Sequence, residues 1–226
     1  LDGRVALITG ASSGIGAELA RAYAARGARL LLLARRRELL DLLAADLRAR
    51  GTQVSVYEAD VTREGDVARV VADVQGHGGQ IDLVFANAGF GVAGAVQNLT
   101  LDDYRRQFET NVFGLLRTVY ETLDTLRAAR GQLVLIGSVA GHVAAPNASA
   151  YAGSKFAVRG LAEAMRGDFA PLGIRVTLVS PGFVDSDIRR TDNRGVLHEG
   201  VPDHVPAWLR VPTDVAVREI VRGVER

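Results

Sequence analysis

A serine, a tyrosine and a lysine lie close together in a chain that otherwise avoids lysine. Ser138 ends an apolar run, Tyr151 follows thirteen residues later and Lys155 four residues after that. Of the 27 basic residues 26 are Arg, so Lys155 is the only lysine. A lysine changes its proton affinity when buried and an arginine does not, so a retained Lys points to chemistry that Arg cannot perform. If Tyr151 opens a helix, Tyr151 and Lys155 sit at i and i+4, one turn apart on one face. Val158, Ala162, Met165 and Phe169 continue that face as an apolar stripe, which turns it inward. An ammonium beside a phenol favours the phenolate and draws the phenol down from its ordinary value of about 10. Tyr151 is thereby a candidate general acid/base, and Ser138 a donor to the oxygen that Tyr151 serves. The same spacing also suits a packed tyrosine with a snorkelling lysine, and the motif alone does not separate the two.

Alternating strand-like and helix-like segments must position these residues. Strands are expected at Arg4–Thr9, Arg29–Ala34, Gln53–Glu58, Ile81–Ala86, Gln132–Gly137 and Ile174–Val179. Helices are expected at Gly14–Gly27, Glu38–Gly51, Arg63–Gly76, Leu101–Arg127, Tyr151–Ala170 and Thr213–Val224. Unbroken apolar strands alternating with amphipathic helices predict an α/β, doubly wound, Rossmann-type domain with a mostly or wholly parallel sheet covered on both faces. Ser180 to Pro212 departs from the pattern and carries four of the six prolines, so a substrate loop or lid is expected at about 182–212 of a single domain spanning 1–226.

The first strand runs into Thr9-Gly10-Ala11-Ser12-Ser13-Gly14-Ile15-Gly16 and then a helix. Glycines there let backbone approach a ligand, and a helix N-terminus offers N–H groups to a pyrophosphate. The spacing is GxxxGxG, a variant of the dinucleotide fingerprint. Gly10 to Gly14 also spells GxSxG, the nucleophile elbow of serine hydrolases, with Ser12 as nucleophile. Only nine residues precede it, however, and nothing pairs His142, His198 or His204 with a particular Asp. The second strand ends at Leu33-Ala34-Arg35-Arg36-Arg37 with no acid before Glu38. A carboxylate there selects NAD, whereas arginines accommodate a 2′-phosphate, so Arg35 and Arg36 point to NADP(H), with NAD as the alternative. Asp60 and Val61, after the third strand, are placed to reach the adenine.

Composition excludes several other classes. The 226 residues are 48% hydrophobic and carry a net charge of +1, enough for a core and too little for a field that would gather nucleic acid or an anionic membrane. Without Cys there are no disulfides, thiolate metal sites or cysteine nucleophile. No run approaches the roughly 20 apolar residues of a spanning helix, and no HExxH suggests zinc, so neither a membrane segment nor a metal is expected. The expected location is the cytoplasm.

Taken in order, these motifs resemble the short-chain dehydrogenase/reductase family over nearly the whole chain. Thr9 to Gly16 is similar to its cofactor turn and Asp60-Val61 to its adenine-contacting pair. Asn87-Ala88-Gly89 resembles its NAG motif, and Asn111 the helix asparagine that maintains a proton-relay water. Ser138, Tyr151 and Lys155 match its catalytic set, and Pro181-Gly182 the turn flanking the nicotinamide. The resemblance implies cofactor contacts from Val184 and Ser186, although Ser186 is a weak match to the family's threonine. A seventh strand usual in the family has no counterpart before Arg226. The resemblance further implies hydride transfer between NADP(H) and a carbonyl or secondary alcohol, with Lys155 binding the nicotinamide ribose. Substrate walls are expected from Ser138, Val139, Val143, Tyr151 and Phe183, with Phe90, Ala144 and Trp208 beside them, which suits an apolar ketone or aldehyde. His142 and Asn147 are expected as polar contacts or loop residues. Phe156 and Leu161 on the Tyr151 helix serve a homodimer or homotetramer, as relatives use this helix, or the core. An NAD(P)-binding sensor without turnover is the alternative, although it has no need of a full Asn, Ser, Tyr and Lys set.

Overall fold

A computed structural model describes residues 3–185, 188, 192–193, 196, 198 and 205–225. Six strands form one wholly parallel sheet in the order β3-β2-β1-β4-β5-β6. They are β1 (Val5–Thr9), β2 (Arg29–Ala34), β3 (Val54–Glu58), β4 (Leu83–Ala86), β5 (Gln132–Ile136) and β6 (Arg175–Val179). Helices α1 (Gly14–Ala24), α2 (Arg37–Ala49), α3 (Asp66–Gly76), α4 (Leu101–Phe108), α5 (Gly114–Ala129), α6 (Ser149–Phe169) and α7 (Thr213–Val224) cover it.

Strand residues alternate between two cores, as a period of two requires. Leu7, Leu31, Leu33, Val84, Leu133 and Leu135 face α3, α5 and α6, where Val70, Val119 and Val158 meet them. Ala6, Ile8, Leu30, Leu32, Phe85 and Val134 face the opposite side, against Leu19, Leu40 and Val221 of α1, α2 and α7. Both faces being covered explains why these strands read as continuous apolar runs.

The order of strand addition reverses between β1 and β4. In a doubly wound sheet the crevice outside the carboxyl ends of the strands at that switch is where ligands bind. Thr9, Ala34, Glu58, Ala86, Ile136 and Val179 are those carboxyl ends, and the sequence motifs follow directly after them.

Two expectations need correction. The helix expected at Leu101–Arg127 is two helices, α4 and α5, separated by a π turn at Glu109–Phe113. The helix expected from Arg63 begins at Asp66, because Gly65 takes φ +82° and the Asp66 carboxylate accepts from the Asp60 N–H at 2.8 Å. Of the two α6 residues for which an interface or the core was expected, Leu161 is partly buried and packs against the core, whereas Phe156 is 44% exposed. Val158, Ala162 and Met165 are buried as their stripe required.

Candidate active site

The β1–α1 turn leaves no room for side chains. Gly10 has φ +66°, and a Cβ there would lie 2.8 Å from Ala88 Cα. At Gly16 a Cβ would come within 2.4 Å of the Gly10 carbonyl oxygen and 2.7 Å of Asn87 Nδ2. The Asn87 amide donates to the Thr9 and Gly10 carbonyls at 2.9 and 3.3 Å, and Thr9 Oγ1 accepts from the Asn87 and Ala88 N–H groups. Asn87-Ala88-Gly89 therefore clasps the end of β4 to the glycine turn. Ser13 precedes α1 without a side-chain cap, which leaves the first N–H groups of Gly14, Ile15 and Gly16 to a ligand.

The arginines at the end of β2 take three separate courses. Arg37 opens α2 and is paired with Asp41 at 2.9 Å, which offsets a positive charge at a helix N-terminus. Arg36 turns inward and donates to Ser12 Oγ at 3.0 and 3.2 Å and to Ser13 Oγ at 2.6 Å. Arg35 is exposed at the strand end. This geometry removes the hydrolase alternative. The partner of Ser12 is a guanidinium, while His142 bonds Ser180 at 2.9 Å and His198 pairs with Asp192 at 2.8 Å; His204 lies outside the described residues. After β3, Asp60 Oδ1 accepts from the N–H and hydroxyl of Thr62, and Val61 is buried against Gly114, where a Cβ would meet Val61 Cγ2 at 2.6 Å.

Ser138, Tyr151 and Lys155 come together where β5 meets α6. Ser138 is nearly buried and caps the one-turn helix Val139–Gly141 by accepting from the Ala140 N–H at 3.1 Å. Gly141 lets that turn lie on α6, since a Cβ there would stand 2.6 Å from the Lys155 carbonyl oxygen. Lys155 is 6% exposed, and its Nζ donates to the Ile136 carbonyl at 2.8 Å while standing 5.8 Å from the Tyr151 ring centroid. Burial pushes the Lys155 ammonium down from 10.5 to about 8. It remains largely charged at neutral pH.

Asn111 lies in the π turn, 2% exposed. Its Oδ1 accepts from the Phe90 N–H at 3.1 Å, and its Nδ2 donates to the Phe90 carbonyl and to Ser154 Oγ, both at 3.1 Å. Ser154 in turn donates to the Tyr151 carbonyl at 2.7 Å, tying Asn111 to the first turn of α6. Gly89 abuts this amide, with a built Cβ 3.0 Å from Asn111 Oδ1.

On the β6 side, the Pro181 carbonyl accepts from the Val139 N–H at 2.9 Å, joining the Pro181-Gly182 turn to the Ser138 turn. Val184 is buried and bridges to Val211, so the two ends of the intervening segment are zipped together. Ser186 lies outside the described residues. Val139, Val143, Phe183 and Trp208 are exposed by 40, 69, 46 and 82%. His142 is held by Ser180, and Asn147 is exposed at φ +63° with its carbonyl accepting from the Gly94 N–H.

Sequence reasoning missed Gln107, Ser154 and Gly141. Gln107 stands four residues before Asn111 and Ser154 lies inside the Tyr151–Lys155 interval. Both were therefore within reach of a search for polar residues on the inner helix faces. Nothing local marks Gly141, because its need for a missing Cβ comes from α6.

A parallel sheet with a glycine crevice at its switch point, beside a buried Lys and a Tyr, defines a dinucleotide-binding oxidoreductase. The family model described as short chain dehydrogenase matches residues 4–196. An uncharacterized oxidoreductase of Mycobacterium tuberculosis is 40% identical over 224 residues, covering 97% of this chain and 84% of that protein. The 11-beta-hydroxysteroid dehydrogenase 1A of Arabidopsis thaliana is 38% identical over 192 residues, 83% of this chain and 54% of its own length. Among solved structures, an alcohol dehydrogenase from Thermococcus sibiricus complexed with 5-hydroxy-NADP has TM-score 0.88 at 27% identity, covering 100% of this chain and 92% of that one. A short-chain dehydrogenase from Sphingobium yanoikuyae in complex with NADPH has TM-score 0.84 at 31% identity, covering 99 and 85%. The chain belongs to the short-chain dehydrogenase/reductase family, whose enzymes act on the CH–OH group with a nicotinamide cofactor. No described helix is long and apolar enough to cross a membrane.

Proposed function

We propose that this chain is an NADP(H)-dependent reductase of apolar ketones or aldehydes, with Tyr151 as its acid. The observation that carries the reading is the buried Lys155 ammonium beside the Tyr151 ring, fixed by the Ile136 carbonyl. Gly10, Gly14, Ile15 and Gly16 would hold the pyrophosphate, and Ser12 and Ser13 would stand beside it. Arg35 and Arg36 would take the 2′-phosphate, since the guanidinium of Arg36 already hangs over the turn and no carboxylate ends β2. Asp60 and Val61 would border the adenine. Asn87, Ala88 and Gly89, with Pro181, Gly182, Val184 and Ser186, would border the nicotinamide.

When bound, the reduced nicotinamide supplies a hydride to the carbonyl carbon. Tyr151 gives its phenolic proton to the carbonyl oxygen, and the Ser138 hydroxyl donates to the same atom as charge develops there. The Lys155 cation stabilises the phenolate left behind. It is present below a pH of about 8 and lost above it, so reduction falls as pH rises through that value. The Asn111 side chain is committed to Phe90 and Ser154, which leaves its main chain in the π turn as the group to hold a relay water.

Apolar side chains at Val139, Val143 and Phe183 support a lipophilic substrate, with 182–212 as the lid of a single domain, although 186–187, 189–191, 194–195, 197 and 199–204 lie outside the described residues. Exposed Phe156 supports a homodimer or homotetramer through α6. A cysteine-free chain suits a reducing compartment, and the cytoplasm is the location proposed. The test is a panel of aliphatic, aromatic and steroidal carbonyls followed by loss of reduced-nicotinamide absorbance with NADPH and NADH. Turnover of an apolar ketone with NADPH preferred is expected. Stable binding of NADPH with no turnover of any carbonyl sinks the reading and leaves a sensor.

A further inference from the structure

Helix α4 carries a glutamine that the reaction scheme above does not use. Gln107 is 0% exposed, and a buried amide costs free energy unless its polar atoms are paired. Both are paired, and both to one loop. Its Oε1 accepts from the Val92 N–H at 2.6 Å and its Nε2 donates to the Phe90 carbonyl at 2.8 Å. One helical turn later the Asn111 amide takes the Phe90 N–H and shares the Phe90 carbonyl. Phe90 to Val92 belong to neither helix nor strand, so two side-chain amides stand where a ladder partner would otherwise be.

The other side of that loop is the Tyr151 ring. A Cβ built on Gly91 would stand 3.6 Å from Tyr151 Cδ2, an ordinary van der Waals contact. Room for a methyl group therefore separates Gly91 from the ring, bordered also by Ile188 Cγ1 at 3.8 Å from that Cβ, and the main-chain path of Phe90–Val92 sets its width. That path is set by Gln107 and Asn111. Asn111 is also tied to the Tyr151 turn through Ser154, whereas the polar contacts of Gln107 are confined to the loop.

We propose that Gln107 is a positioning residue for the reduction: it fixes the Phe90–Val92 main chain so that Gly91 backs the Tyr151 ring and keeps the phenol in line with the substrate oxygen. The inference rests on the reductase reading. Its consequence is kinetic, because a misplacement of about 1 Å at a reacting group costs up to roughly 100-fold in rate. The glycine turn that would hold the cofactor is clasped by Asn87 and Thr9 and makes no hydrogen bond to Gln107. Loss of Gln107 therefore lowers kcat for the carbonyl and leaves cofactor binding alone.

Two variants test this. Gln107→Met keeps volume and removes both hydrogen bonds; kcat should fall roughly 10-fold or more. The Kd for NADPH, read from its fluorescence on the protein, should stay within about 2-fold of wild type. Gln107→Glu retains the acceptor for the Val92 N–H. Its carboxyl donates to the Phe90 carbonyl while protonated and repels it once ionised, and burial raises the pH at which that happens. Its kcat should approach wild type at low pH and drop across a new step that wild type lacks. A glutamine that merely supports the fold gives folded variants with lower melting temperature, wild-type kcat and no new pH step, and that result overturns the proposal. If Gln107→Met does not fold, the pH profile of Gln107→Glu decides alone. A wild-type enzyme that reduces carbonyls beside a Gln107→Met variant of unchanged kcat refutes only this inference. A wild-type protein that reduces none refutes the reductase reading and this inference with it.

Discussion

Around Gly10 and Gly16 the walls of the cleft are main chain, packed so closely that a single Cβ would overlap the Gly10 carbonyl or Ala88 Cα. Val139, Val143, Phe183 and Trp208, proposed above as the substrate side, are exposed side chains. On the proposed reading the first region has one solution, because it must bring helix N–H groups and backbone within reach of a pyrophosphate. Exposed side chains of the second can change residue by residue without disturbing the sheet. That reading puts cofactor binding in backbone geometry and substrate choice in exposed side chains.

The comparison breaks most severely if the turn tolerates bulk. Gly16→Ala should abolish NADPH binding and lower stability by about 1–3 kcal/mol, measured by fluorescence titration and denaturant melts, since its Cβ would meet the Gly10 carbonyl as well as the Asn87 side chain. Lys155→Met tests the link between the regions. The folded Lys155 has a pKa of about 8 against 10.5 unfolded, so between those values the unfolded chain binds more protons and stability rises with pH. Lys155 should contribute up to about 1.4 kcal/mol per pH unit to that slope, a contribution the variant lacks. Replacing Arg35 and Arg36 by Ala should lower the NADPH:NADH ratio of kcat/KM roughly 10-fold, and an unchanged ratio moves the preference elsewhere. The smallest stability effects belong to the rim. Val143→Ala and Trp208→Ala should shift unfolding free energy by no more than about 0.5 kcal/mol. Each should nonetheless alter kcat/KM between a bulky and a small ketone by roughly 10-fold.

The same contrast explains what could be read in advance. Strands buried on both faces announce themselves as apolar runs, and Tyr151, Lys155 and the inward stripe of α6 follow from a period of 3.6. The π turn at Glu109–Phe113 was invisible because Leu101–Arg127 is helical in propensity throughout. Its register shift coincides with buried amides at Gln107 and Asn111 that grip a loop from elsewhere in the chain. Arg36 was legible as a charge but not as the partner of Ser12 and Ser13, which depends on Arg36 standing just outside α2, which starts at Arg37. Leu161 was left between an interface and the core because its core partners come from outside its own helix.

The central claim is that the Tyr151 hydroxyl, tuned by Lys155, is the proton donor in a site whose cofactor is held by other parts of the fold. The most direct measurement pairs Tyr151→Phe turnover of the best ketone with its NADPH affinity. A loss of at least roughly 100-fold in kcat with Kd unchanged is the predicted result. Turnover within a few fold of wild type by the cofactor-bound variant would contradict it.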